Sequence, residues 1–336
     1  MKKGILLVNL GTPDEPTRGA VYKYLKEFLL DPRVIDISWL GRQLLVRGII
    51  APFRSGPSSK AYKELWTPEG SPLKIFTYFL RDRLSEELGG DYVVEAAMRY
   101  QSPSIQSGLD KLKAAQVSSI YVFPLFPQYA GATTGSVHQE VMRIVSTWHN
   151  IPDMRFKHAY YDEPGMIEVF AERARAMNYE NYDHILFSYH GLPERQLRKA
   201  DDYNICLTKD CCKTLTAKNQ FCYGAQCTAT TKALVAALNI PEEKYTQCYQ
   251  SRLGKDPWVQ PYTSDVIKQR ADAGDKKMLV FCPAFTSDCL ETTIEIGVEY
   301  AEEFEEYGGE KLHLVPSLND HPAWIETVKQ IVLKEA

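Results

Sequence analysis

The sequence predicts an α/β protein made of two similar doubly wound halves, each a four-stranded parallel sheet flanked by helices. Short apolar runs alternate with longer segments of helical spacing through the 336 residues. The runs are apolar at consecutive positions, as in Gly4-Ile-Leu-Leu-Val-Asn-Leu10, which suits strands buried on both faces. The rhythm also occurs twice, and a chain of this length exceeds what one core commonly serves. The expected division is 1–152 and 153–318, with the last segment, 319–336, packing back as a helix on the first domain.

Taken in order, the strand ending at Leu10 is broken by Gly11-Thr-Pro-Asp-Glu-Pro, and a helix follows from Thr17 to Leu30. From Ile37 to Phe53, Leu40, Leu44, Ile49 and Phe53 recur at helical spacing with Arg42 and Arg47 among them. Such a segment suits either an ordinary core-packed helix or one lying on a membrane surface. Gly70-Ser-Pro-Leu73 starts another helix, with Pro72 in its first turn. Strands are expected at Tyr92–Met98, Ser119–Phe126 and Met154–Ala159, and Ser102-Pro103 reads as an N-cap and first helical residue. The second half repeats the pattern, with strands at 184–189, 244–249, 277–282 and 311–315. Helices are expected at Ala229–Leu238 and Pro322–Lys334. The polar stretch 201–227 interrupts the rhythm as an insertion.

Composition excludes several classes. Lys+Arg 39 against Asp+Glu 43 leaves a net charge of −4, which gives no support to nucleic-acid binding. No secretory signal is expected at the N-terminus and no apolar run is long enough to span a bilayer, so a cytoplasmic location is expected. Five of the eight cysteines, Cys206, Cys211, Cys212, Cys222 and Cys227, crowd into the insertion. Without a secretory signal such clustering favours a metal or iron–sulfur site over disulfides.

Two stretches point to chemistry. His184-Ile-Leu-Phe-Ser-Tyr-His190 ends a buried-looking strand in a histidine, then stops at Gly191 and Pro193. Ligands gather beyond the carboxyl ends of strands in such sheets. After the strand Met278-Leu-Val-Phe-Cys-Pro283, a helix near Ser287 carries Asp288, Glu291, Glu295 and Glu299 at spacings of three and four. That spacing places carboxylates on one face, as a solvated acidic face or as oxygen ligands and proton acceptors. Tyr129, Tyr189, Trp258 and Phe285 lie at strand exits or in loops, where a large flat apolar ligand would want walls. Gly131-Ala-Thr-Thr-Gly135 precedes a helix and could hold an anion. Walker, GxGxxG and HExxH patterns are absent from the sequence.

These motifs, in this order, resemble the ferrochelatase family along nearly the whole chain. The matching stretches are Leu7-Val-Asn-Leu-Gly-Thr-Pro13, Gly70-Ser-Pro-Leu73, Met98-Arg-Tyr100 and Pro127-Gln-Tyr-Ala-Gly-Ala-Thr-Thr-Gly135. Phe187-Ser-Tyr-His-Gly-Leu-Pro193, Pro257-Trp258 and Phe285-Thr-Ser-Asp-Cys-Leu-Glu-Thr292 complete the set. The resemblance implies two Rossmann-like domains of chelatase-like fold around a porphyrin cleft, and insertion of Fe2+ into protoporphyrin IX to give protohaem, the last step of haem biosynthesis. It implies His190, Glu291 and Glu295 as catalytic residues, with His190, Glu291 and Asp288 toward the substrate Fe2+. It places Leu10, Arg99, Tyr100, Tyr129, Trp258 and Phe285 on the porphyrin.

The chain also departs from the family pattern. Cys289 stands where many members have His, Gly297 where some have an acidic residue, and Leu10 where the coproporphyrin-using branch has Tyr. The cysteine-rich insertion resembles bacterial members that bind a [2Fe–2S] cluster, here through Cys206, Cys212, Cys222 and Cys227, with Cys211 the alternative to Cys212. Zn2+ is the other group four thiolates suit. A coproporphyrin or cobalt chelatase, or a tetrapyrrole or iron–sulfur sensor without turnover, are the competing functions. The apolar segment 37–53 adds an expectation of peripheral contact with the inner face of the cytoplasmic membrane.

Overall fold

The computed structural model describes residues 2–208, 210–254 and 256–336, so Met1, Lys209 (inside the cysteine-rich insertion) and Lys255 lie outside the described residues. The chain divides into two compact units. The first holds the chain up to Phe126, then Ala130–His158 and Trp324–Ala336; the second holds Pro127–Tyr129 and Ala159–Ala323.

In the first unit, β1 (Lys3–Gly11) leads to α1 (Arg18–Leu29), whose N-cap Thr17 accepts the Ala20 N–H at 3.3 Å. Next come α2 (Trp39–Leu45), a π-helical turn (Val46–Ile50), α3 (Ala51–Leu65) and α4 (Pro72–Leu88). β2 (Tyr92–Tyr100), α5 (Ile105–Ala114), β3 (Ser119–Pro124), α6 (Thr134–Val145) and β4 (Asp153–Phe156) follow. The expected cap moves: Ser102-Pro103 is a cis peptide in the turn, and Ser104 caps α5, accepting from Ser107 N at 3.2 Å. The sheet is parallel with order β2-β1-β3-β4. One of its faces builds a core of Leu6, Val8, Leu109, Val122, Val137 and Ile144, among others.

The second unit contains α7 (Pro164–Ala176), β5 (His184–His190), α8 (Glu194–Lys199), α9 (Tyr223–Leu238), β6 (Tyr245–Gln250), α10 (Thr263–Asp272) and β7 (Lys277–Phe281). A ten-residue π-helix (Leu290–Glu299) runs into α11 (Tyr300–Glu306), and β8 (Lys311–Leu314) closes a parallel sheet of order β6-β5-β7-β8. α9 begins at Tyr223, six residues before the expected Ala229, because the helix takes in the last cysteine. The acidic helix is π-helical where α-helical spacing is expected; insertions of this kind concentrate at functional sites. The terminal helix, α12 (Pro322–Glu335), is tied to the first sheet within the first unit. Tyr121 and Lys157 both bond the Glu335 carboxylate, at 2.6 Å each, and Lys3 reaches the Ala336 carbonyl at 2.8 Å.

The two sheets share small devices as well as strand order. β1 ends in a glycine, Gly11, and β5 is followed at once by one, Gly191. A Cβ there would stand 2.1 Å from the Tyr100 carbonyl oxygen and 2.8 Å from that of Gln250, so the backbones exclude one. β2 and β6 each exit through a residue of positive φ, Gln101 (67°) and Ser251 (65°), and each then meets a cis proline, Pro103 and Pro261. Those prolines' carbonyls take the N–H of Met98 at 2.6 Å and of Tyr249 at 2.9 Å.

Candidate active site

β5 is buried from His184 to Tyr189, and only His190, at its carboxyl end, is partly exposed. His190 Nδ1 lies 2.7 Å from the Gly191 carbonyl oxygen. A carbonyl only accepts, so Nδ1 carries a proton, and in the neutral ring Nε2 is the nitrogen that keeps the lone pair. The backbone here is held twice: Tyr223 OH donates to the His190 carbonyl and Gly191 N–H to the Gln250 carbonyl, both at 2.8 Å. The Trp258 ring stands 6.5 Å from the imidazole, centre to centre.

β7 feeds the π-helix, whose N-cap is Cys289; Thr292 Oγ1 accepts the Cys289 N–H at 2.9 Å to close a capping box. Cys289 itself is buried, which pushes its thiol pKa up. Gln250, fully buried at the end of β6, donates from Nε2 to the Glu291 carbonyl at 2.7 Å and to Glu295 Oε2 at 3.3 Å. Its Oε1 accepts from Ser188 Oγ at 2.8 Å. Ser251 Oγ donates to the same Glu295 oxygen at 2.6 Å, and Tyr300 OH approaches Oε1 at 3.4 Å. Burial raises the Glu295 pKa, opposed by the Ser251 hydrogen bond and the His190 charge and reinforced by Glu291. The outcome is a carboxylate of increased proton affinity within electrostatic range of a histidine. Glu291 is half-buried, and Glu299 is exposed at the far end of the row.

Asp288, expected toward the metal, is bonded to its neighbours through both carboxylate oxygens. Its Oδ2 accepts from Asn319 Nδ2 at 2.7 Å, its Oδ1 from Ser317 N at 3.1 Å and Thr292 Oγ1 at 3.5 Å, and its own N–H bonds Asn319 Oδ1 at 2.9 Å. These bonds brace the start of the π-helix and occupy both carboxylate oxygens.

The aromatic walls also divide. Tyr129 and Phe285 are partly exposed in the second unit, and Trp258 is nearly covered. In the first unit Leu10 is partly exposed at the end of β1. Tyr100, expected on the porphyrin, is fully buried: its hydroxyl donates to Asp31 Oδ2 at 2.9 Å, and burial beside that charge pushes its pKa well up. Arg99 Nη2 and Ser136 Oγ reach the same oxygen, at 2.7 and 2.5 Å. Tyr100 therefore supports the strand end from behind. Asp31, Ser136, Gln250, Ser251 and Asn319 escape a reading of the sequence, since a lone polar residue after an apolar run carries no signal of its distant partner.

The insertion gathers its thiols. Cys211 and Cys212 lie with Sγ atoms 3.6 Å apart, Cys212 shares a hydrogen bond with Cys222, and Cys206 lies within electrostatic range of Cys211 and Cys222. The Cys222 pKa is lowered to about 6, first by the Cys212 thiol, against burial, and then by the Ala225 and Gly224 amides at the start of α9. A Cβ on Gly224 would come 2.9 Å from Cys212 Sγ, so only glycine leaves that sulfur its room. Cys227, on α9, has no exposed surface and lies within electrostatic range of Cys222. Among the described residues, no three or more His, Cys, Asp or Glu side chains are already arranged as a metal-binding group.

Two α/β units, each built on a four-stranded parallel sheet, give the chain a fold like that of solved chelatases. SirB from Bacillus subtilis with Fe3+ shares the fold at TM-score 0.55, with 13% identity, 99% of this chain and 95% of that chain covered. The cobalt complex of the sirohydrochlorin chelatase SirB from Bacillus subtilis subspecies spizizenii gives 0.53, also at 13% identity and with the same coverage. The family follows from sequence. The ferrochelatase family model matches residues 2–336. A ferrochelatase of Coxiella burnetii (strain Dugway 5J108-111) is 42% identical over 335 residues, covering 99% of this chain and 94% of that protein. One of Legionella pneumophila (strain Lens) is 41% identical over 332 residues, covering 99% of each. The chain belongs to the ferrochelatase family.

Proposed function

We propose that this chain is a lyase that inserts Fe2+ into protoporphyrin IX, releasing two protons and forming protohaem. The observation that carries the reading is the tether on His190: Nδ1–H is tied to the Gly191 carbonyl, which leaves Nε2 as the accepting nitrogen of the neutral ring. Metal cannot enter the macrocycle plane while two pyrrole N–H groups point inward, so a neutral imidazole at its face accepts a proton. Glu291 and Glu295 serve the metal or the departing protons, with Glu295 suited to protons by its raised affinity. Asp288 organises the π-helix that carries them. Leu10, where a coproporphyrin-using branch has Tyr, supports protoporphyrin as substrate. Anaerobic protein given Fe2+ and protoporphyrin IX should develop a haem spectrum; a preference for Co2+ or for coproporphyrin in competition would reassign the substrates. A protein that binds porphyrin without turnover would be a sensor.

The cysteine insertion supports a [2Fe–2S] cluster as resident group. A donor set of thiols alone, a thiolate favoured at Cys222 and a glycine-made space at Cys212 fit it. Cys206, Cys212, Cys222 and Cys227 would hold it, with Cys211, whose sulfur lies 3.6 Å from that of Cys212, the alternative to Cys212. Metal insertion transfers no electrons, so a bound cluster would supply a structural cross-link and a redox-sensitive signal. Acid-labile sulfide in the anaerobically purified protein supports the cluster, and stoichiometric zinc without sulfide would replace it with a zinc site.

The segment 37–53 supports contact with an anionic lipid surface. Trp39, Leu40, Leu44, Ile49 and Phe53 are 57–75% exposed, and Arg47 and Arg54 stand exposed among them. Apolar side chains interleaved with cations are what an interfacial helix requires. Among the described residues, no helix is long and apolar enough to cross a membrane. Failure to co-sediment with anionic vesicles would remove this contact.

A further inference from the structure

We propose that Ser251 is a positioning residue for metal insertion, its hydroxyl fixing the Glu295 carboxylate where the reaction needs it; the inference rests on the reaction proposed above. Ser251 follows β6 with φ of 65°, a left-handed conformation that glycine adopts freely and serine does not. The turn imposes this conformation, so glycine would be the easier residue. Serine supplies a hydroxyl instead, and that hydroxyl makes the shortest bond to Glu295, 2.6 Å. Non-glycine residues in this region persist where surrounding structure over-determines them, and they cluster at functional sites.

The neighbouring contacts make the arrangement specific. Gln250, one residue earlier, reaches the same Glu295 oxygen from Nε2 and also bonds the Glu291 carbonyl, so the strand end grips the π-helix at two consecutive acidic turns. The Gln250 backbone carbonyl holds Gly191, and through it the turn behind His190. Two residues at one strand exit thus link the proton-accepting histidine to the carboxylate pair. Of the two, only Ser251 can lose its polar group while its backbone gains freedom.

That asymmetry provides the test. Haem formation by the full-length protein is measured for wild type, Ser251→Gly and Ser251→Asn, with Tm and with KM for both Fe2+ and protoporphyrin IX. Ser251→Gly should keep or raise Tm. Its kcat should fall by about 10- to 100-fold, the range for a lost hydrogen bond to a charged group, with each KM changed less than about threefold. Asparagine tolerates the same backbone and carries an N–H donor, so Ser251→Asn should recover most of that loss. Full kcat in Ser251→Gly overturns the inference, and so does a raised KM with unchanged kcat, which would make Ser251 a substrate contact. Wild-type protein that forms no haem sinks the reaction itself and this inference with it. Wild-type turnover beside a fully active Ser251→Gly sinks the inference alone.

Discussion

The exits of β2 and β6 share their parts and use them differently. Each sheet has the same strand order, a glycine where its first strand ends, a positive-φ residue after its edge strand, and a cis proline beyond. At the β2 exit, Arg99, Tyr100 and Ser136 all converge on one oxygen of buried Asp31, and Arg99 neutralises it. At the β6 exit, Gln250 and Ser251 converge on Glu295 with neutral donors only, and burial raises the proton affinity of the carboxylate. Leu10 stands at the end of β1 and His190 at the end of β5. A carboxylate matched by arginine stabilises structure; one held by an amide and a hydroxyl stays ready to exchange a proton.

The comparison can be broken at several points. His190→Ala should lower kcat for haem formation by about 10²–10⁴-fold, the range of a general base, while porphyrin binding followed by fluorescence quenching persists. An unimpaired variant would remove the second exit's claim to chemistry. Asp31→Ala should cost roughly 3 kcal/mol in urea unfolding, because it removes the counter-charge of Arg99 and the acceptor of both the Tyr100 and Ser136 hydroxyls. A negligible cost would deny that the first exit is structural.

Glu295→Gln should do the opposite, losing activity while gaining about 1 kcal/mol of stability near pH 8. The sign follows from the raised folded-state pKa: protonation stabilises the native state below the ordinary carboxyl value of 4.5, and that contribution is lost as pH rises through the folded value. The gain over wild type should therefore vanish near pH 4, and a gain independent of pH would mean the carboxylate is not strained by burial. The smallest effect belongs to the surface: Leu44→Asp should weaken anionic-vesicle binding by about tenfold, from the loss of one buried leucine, and leave haem formation in detergent unchanged.

Much of this was legible in the sequence. Continuous apolar runs marked β1, β3, β5 and β7, because a strand covered on both faces needs apolar residues at nearly every position. The edge strands β4, β6 and β8, partly exposed and mixed in composition, were placed by the repeat of the rhythm. His190 and the acidic row stood out because strand ends and spacing mark them. The 37–53 stripe was visible, but its direction was not: periodicity says that one face is apolar and not whether protein covers it. Tyr100 and Asp288 looked equally available for ligand in sequence, and hydrogen-bond partners distant in the chain claim both.

The sequence by itself determined the alternating architecture, the doubled strand pattern, the family and the positions of His190, Glu291 and Glu295. Those depend on local pattern and residue type, which a linear chain displays. The tertiary structure alone decided which carboxylate is neutralised and which keeps its proton affinity, that the acidic helix is π-helical, and that a serine in a left-handed turn meets Glu295 across 44 positions of sequence. Proton affinity depends on burial and on donors within a few ångströms, and those distances exist only once the chain has folded.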